Sequence, residues 1–220
     1  MAWYVFALLD RAPRASMGTG LSAPVRMRDL GGCVAAVERR SDVPPIELGT
    51  LQAHHRAVAR LWRHTPAVLP VRFGTLLESD ELVEAVEGRD EELREAFDLV
   101  RKRAQFTWRG SAARRPAARK VPRARAASLS VSGAEYLRRA ARGAAPPPRF
   151  STIRRAVRPF VTAERYQSGR PTVPEALYHL VDTAHVTAYR AAAVRIPSDT
   201  SAPTLSGPFP PYAFVPEILR

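Results

Sequence analysis

Apolar residues along this chain switch between two spacings, and the switches divide it into elements. Trp3–Leu9 is an aromatic and branched run that predicts a strand, followed by a Pro-, Gly- and Ser-containing loop from Asp10 to Pro24. A second strand is predicted over Cys33–Arg40, ended at Ser41-Asp42-Val43-Pro44-Pro45, where two prolines block ladder pairing. From Thr50 the spacing becomes helical. Leu51, His55, Val58 and Leu61 or Trp62 fall on one stripe, with Arg56, Arg60 and Arg63 outward. Pro66 stops this helix, and Ala67–Gly74 reads as a short strand closed by glycine. Ser79-Asp80-Glu81 predicts an N-cap with acids in the first turn. Leu82, Val83 and Val86 then form one apolar face, and Leu93, Ala96, Phe97 and Val100 form another beyond a break at Gly88. Ala104–Arg109, with Phe106 and Trp108 at period two, predicts the next strand.

This order fits an α+β class: an N-terminal modified ferredoxin-like domain over residues 1–110, an antiparallel sheet closed by strand 104–109 with helices on one face. Residues 111–132 are Ala-, Arg- and Pro-rich without apolar periodicity and read as a linker or mobile loop. Residues 133–220 are expected to form a C-terminal α+β domain. It would hold a short helix at Gly133–Arg142, the rigid Pro146-Pro147-Pro148, and a helical stretch Phe150–Tyr166 bent by Pro159. A strand at Ala176–Val181, a helix at His185–Ile196 and a proline-rich tail from Leu205 to Val215 complete it.

Composition narrows the setting. The chain has 220 residues, enough for one or two domains, and no run approaches the ~18 apolar residues of a membrane helix. The N-terminus lacks a basic segment and cleavage site, so it reads as a strand rather than a signal peptide. The single cysteine, Cys33, sits among apolar neighbours and is expected to be a buried thiol in a reducing cytoplasm. Charge is uneven. Residues 1–98 carry 12 basic and 15 acidic side chains, residues 99–134 carry 10 basic and none acidic, and residues 135–220 carry 12 basic and 6 acidic.

Three segments carry a resemblance. Val68-Leu69-Pro70-Val71-Arg72-Phe73-Gly74-Thr75, Gly133-Ala134-Glu135-Tyr136-Leu137 and Ser206-Gly207-Pro208-Phe209-Pro210-Pro211-Tyr212-Ala213-Phe214 occur in the order seen in the gas vesicle GvpL/GvpF family, and with Trp3-Tyr4-Val5-Phe6 the chain resembles that family over nearly its whole length. The last segment is the most specific, with Phe209 where the family usually has tryptophan and Ala213 where it has serine. One departure is that His54-His55 is followed by Arg56, where the family usually carries a His-Glu pair. The resemblance implies a non-enzymatic accessory protein without a cofactor. It would be cytoplasmic and vesicle-associated, binding the gas vesicle shell protein or other gas vesicle accessory proteins during assembly. On that reading the candidate interface residues are Pro70, Arg72, Phe73, Gly74, Tyr136, Gly207, Pro208, Phe209, Pro210, Pro211, Tyr212 and Phe214.

The residues themselves offer little other chemistry. Adjacent His54 and His55 diverge by about 100° on a helix and cannot grip one ion; with His64, His179 and His185 scattered, no metal site is expected. Carboxylates cluster only in Glu78–Asp98, beside Arg89 and Arg94, as on a solvated helix surface. No phosphate loop, nucleophile elbow or zinc signature is present, so no catalytic residue is expected. One alternative stays open: a nucleic-acid-binding protein using the Arg-rich segment 101–125, although only Phe106 and Trp108 could stack bases. The Gly207–Phe214 segment is expected to pack at the domain junction or to form a docking surface. Arg72 is expected to pair with a carboxylate across that junction.

Overall fold

Strand β1 (Ala2–Leu9) is buried on both sides, which is why it is almost wholly apolar. It pairs antiparallel with β3 (Val34–Arg40) on one edge and with β4 (Val68–Pro70) and β5 (Leu76–Leu77) on the other; β2 (Arg26–Asp29) completes the order β2-β3-β1-β4. The computed structural model describes residues 2–110, 145–170, 173–197 and 202–219. Helix α1 (Leu48–His64) packs Ala57, Val58 and Leu61 against Tyr4, Phe6 and Ala36. Helices α2 (Ser79–Glu84) and α3 (Asp90–Val100) pack Leu82, Leu93 and Phe97 against Val5, Leu8, Val37 and Leu69 on the opposite face. Alternating side chains of β1 thus face two helical layers where the sequence suggested one. Glu38, fully buried, accepts hydrogen bonds from the backbone N–H groups of Leu21, Ser22 and Ala23 at 2.6–3.1 Å and so pins the loop before β2.

Strand β6 (Arg103–Arg109) leaves this sheet. Lys102 adopts a positive φ of 53°, its N–H bonds to the Pro66 carbonyl at 2.7 Å, and the chain enters a second antiparallel sheet of order β7-β8-β6-β9. Here β7 is Val161–Gln167, β8 is Ala176–Asp182 and β9 is Thr204–Phe209. The expectation that 104–109 closes the first sheet is therefore corrected. The reason is burial: Ala104, Phe106 and Trp108 face one layer while Gln105 and Thr107 are buried on the other, a pattern suited to a central strand. Helices α4 (Ser151–Val157) and α5 (Val186–Val194) cover the first of these faces with Phe150, Ile153, Val157 and Tyr189. On the other, Leu180, Ala163 and Tyr178 join the cluster built around α3, so apolar packing runs between the sheets.

Other expectations shift by a turn or an element. The helical stretch expected over Phe150–Tyr166 stops at Val157; Pro159 sits in a 3-10 turn and residues from Val161 are extended as β7. The α1 stripe is rotated, with His54, Ala57, Val58 and Leu61 buried and Leu51 and His55 exposed. Glu78, not Ser79, caps α2, forming a capping box with Glu81. The Ser79 hydroxyl instead accepts from Trp3 Nε1 at 3.0 Å. Cys33 is buried as expected, and burial pushes its thiol up to about 11. The segment 111–132, the helix Gly133–Arg142 and Tyr136 lie outside the described residues.

Candidate functional site

The C-terminal tail builds the site by crossing from one sheet to the other. Residues Leu205 to Phe209 pair with β6, and Gly207 makes this possible: its φ is +123°, and a Cβ there would stand 2.7 Å from the Gln105 carbonyl oxygen. Pro208 follows within the strand; Pro210 and Pro211 are buried and turn the chain. In the 3-10 turn Tyr212–Phe214, the Ala213 N–H donates to Gln105 Oε1 at 2.7 Å and Arg165 Nη1 donates to the Ala213 carbonyl at 2.8 Å. Phe214, Val215 and Leu219 then enter the core of the first sheet. The Arg72 N–H closes the path on the Leu219 carbonyl at 3.0 Å.

This path leaves a groove of about 430 Å3 lined by His54 and His55 from α1, Pro70–Phe73 from the exit of β4, and Tyr212, Val215 and Leu219 from the tail. Two histidine–tyrosine pairs define it. The Tyr4 hydroxyl lies 2.8 Å from His54 Nδ1 and also receives the Gly74 N–H at 3.3 Å, so the tyrosine donates its own proton to the ring. His55 Nδ1 and the Tyr212 hydroxyl share a bond of 2.9 Å, with their rings 5.9 Å apart. Burial, then the neighbouring His55 charge, pushes His54 down to about 4, against a hydrogen bond to the Val71 backbone; His54 is neutral at neutral pH. Burial pushes Tyr4 up to about 12 and raises Tyr212 as well, so both stay protonated donors.

The predicted residues divide accordingly. Pro70, Arg72, Phe73 and Tyr212 line the groove, and Gly74, at a φ of +90°, turns the chain out of it. Phe73 packs edge-on to Tyr4 and His54 at 6.2 and 5.6 Å. Phe209 is half-buried, its ring 6.1 Å from His55, while Phe214 is a core residue rather than a lining one. The Arg72 side chain is exposed, and among the described residues no carboxylate pairs with it. The sequence did not single out His54, Val215 or Leu219 for the site. The adjacent histidines on one helix were the only signal, since one faces the core and the other the tail.

The groove is apolar with hydrogen-bonding rings on one wall. Among the described residues no three His, Cys, Asp or Glu side chains are grouped to hold a metal ion. No helix among the described residues is long and apolar enough to cross a membrane. A search of curated proteins returned no match. Among solved structures, the gas vesicle protein GvpF from Anabaena sp. PCC7120 is similar with a TM-score of 0.69 at 12% identity, covering 97% of this chain and 95% of that one. GvpF from Microcystis aeruginosa is similar with a TM-score of 0.69 at 10% identity, covering 97% and 98%. At such identities these likenesses establish the fold. Family membership rests on the sequence profile described as gas vesicle synthesis protein GvpL/GvpF, which matches residues 2–216, so this chain belongs to the GvpL/GvpF family.

Proposed function

We propose that this protein binds the gas vesicle shell subunit or another gas vesicle protein during vesicle assembly, in the cytoplasm and without catalysing a reaction, through the groove between α1, the β4 exit and the C-terminal tail. The observation that carries this reading is an apolar rim continuous with the groove. Val43, Ile46, Leu48 and Leu51 are 55%, 82%, 72% and 39% exposed. Leu48, Leu51 and His55 recur at three- and four-residue spacing along α1, and Val43 Cγ1 stands 3.6 Å from where a Gly74 Cβ would be. Large aliphatic side chains gathered beside a preformed apolar groove are what a protein-docking surface presents.

The described part of the basic segment does not favour nucleic acid. Phe106 and Trp108 are buried, Arg101 pairs with Asp10 and Asp98, and Arg103 donates to the carbonyls of Asp98 and Leu99. The test is capture of co-expressed shell subunit or accessory proteins from the same vesicle gene set by tagged full-length chain. Leu48→Asp with Leu51→Asp should abolish capture while leaving the thermal melt in place, because both side chains are exposed. Capture unchanged by this pair would sink the assignment of the surface. A salt-sensitive gel shift with no capture would sink the assembly reading itself.

A further inference from the structure

A second cleft, built from other elements, lies between α4 and the start of β7 and encloses about 540 Å3. Ser151, Arg154, Arg155 and Arg158 line it, recurring at three- and four-residue spacing so that they share one side of the helix and of the 3-10 turn extending it. The start of β7, Val161 to Ala163, forms the floor, with the Ala163 side chain turned to the other face of the sheet. The strand register slips between Val161 and Ala163, which leaves Thr162 exposed on the edge strand of the sheet.

One wall is anchored in the core. Trp108 Nε1 donates to the Tyr189 hydroxyl at 2.8 Å, Tyr189 donates to His179 Nδ1 at 2.8 Å, and His179 Nε2 therefore carries the proton it shares with Glu164 at 3.1 Å. Glu164 in turn holds Arg154 at 2.8 Å. Burial pushes the Glu164 carboxyl up, but the bonds from His179 and Arg154 outweigh it and leave it below its ordinary value, an ionised partner fixed to Arg154. Arg155 and Arg158 are exposed, and among the described residues no carboxylate pairs with them. The cleft thus has one neutralised guanidinium, two available ones and, on its floor, the half-buried Val161 as an apolar surface.

We propose that this cleft binds an acidic peptide segment of a partner protein, with carboxylates on Arg155 and Arg158 and an intervening apolar side chain on Val161. Guanidinium forks match carboxylates two hydrogen bonds at a time. The chain's net charge of +13 favours an acidic partner and opposes a second copy of itself. Nucleic acid fits less well: among the described residues no aromatic side chain lines the cleft for stacking, Glu164 stands in its wall, and the guanidinium groups of Arg155 and Arg158 would neutralise only about two phosphates.

Fluorescence anisotropy of the full chain tests this, using a fluorescein-labelled peptide of alternating glutamate and valine and an oligothymidine of equal length, at about 50 and about 200 mM salt. The peptide should bind more tightly than the oligothymidine. Arg155→Glu with Arg158→Glu should weaken it at least about tenfold, with circular dichroism unchanged. Replacing Arg114, Arg115 and Arg119 together with glutamine should change peptide affinity less than about twofold. Tighter oligothymidine binding, loss confined to the Arg114 triple variant, or indifference to the Arg155 and Arg158 reversals would each overturn the proposal.

Discussion

The Tyr212 hydroxyl lies 2.9 Å from Nδ1 of His55, joining residues 157 positions apart and fastening the tail to α1. His55 is exposed, so water competes for its side of the bond. Tyr212→Phe should therefore cost only about 0.5–1 kcal/mol in urea unfolding, with the ring still beside His55. A loss above about 3 kcal/mol would show that the hydroxyl does more than this single bond.

Phe214 rather than Phe209 carries the weight of the junction. Phe214 is 6% exposed within the cluster of Val5, Leu69 and Phe97, whereas Phe209 is half-buried beside His55. Phe214→Ala should lower unfolding free energy by about 3 kcal/mol, and Phe209→Ala by about half as much. Equal losses would place Phe209 deeper than its exposure indicates.

His54 makes stability depend on mild acid. Its folded value of about 4 lies below its ordinary 6.5, so between those limits the unfolded chain takes up a proton that the folded one refuses. The contribution is intact above pH 6.5 and is lost progressively as pH falls toward about 4, on the order of 3 kcal/mol in total. His54→Gln should flatten the stability profile across that window. An unchanged slope would mean that another group governs it.

The two motif glycines should respond differently to a methyl group. Gly207→Ala meets the Gln105 carbonyl and the Phe106 ring in addition to an unfavourable φ, and should cost more than about 2 kcal/mol. Gly74→Ala meets only Val43, at 3.6 Å, and should cost about 1 kcal/mol from backbone strain. Thermal melts of the two variants check the ranking.

Strand β1, the pair α2–α3 with its break at Gly88, β8 and α5 were readable because each announces itself within its own window: a continuous apolar run, a helical stripe or a cap. Strand β6 was readable as a strand but not as to its sheet, since its partners at Ala176–Asp182 and Thr204–Phe209 lie far downstream and nothing local encodes them. Strand β7 was read as helix because Ile153, Val157, Phe160 and Val161 keep helical spacing across Pro159, and spacing alone could not show where the backbone extends. At the groove, Arg72, Phe73 and Tyr212 stood out through motif resemblance. Their meeting with His54, Val215 and Leu219 follows from the tail's route, which the sequence does not display.

That route binds the order of events in folding. Residues 204–209 supply the edge strand beside β6, and Phe214, Val215 and Leu219 supply part of the wall beneath β1 and β4. Neither sheet can bury its apolar surface fully until residues 204–219 have been made, however early β1 and α1 find each other. The molecule is therefore clasped by a segment late in the fold's order, and a chain cut short after Ala193 would be left open on both sides at once rather than missing one piece.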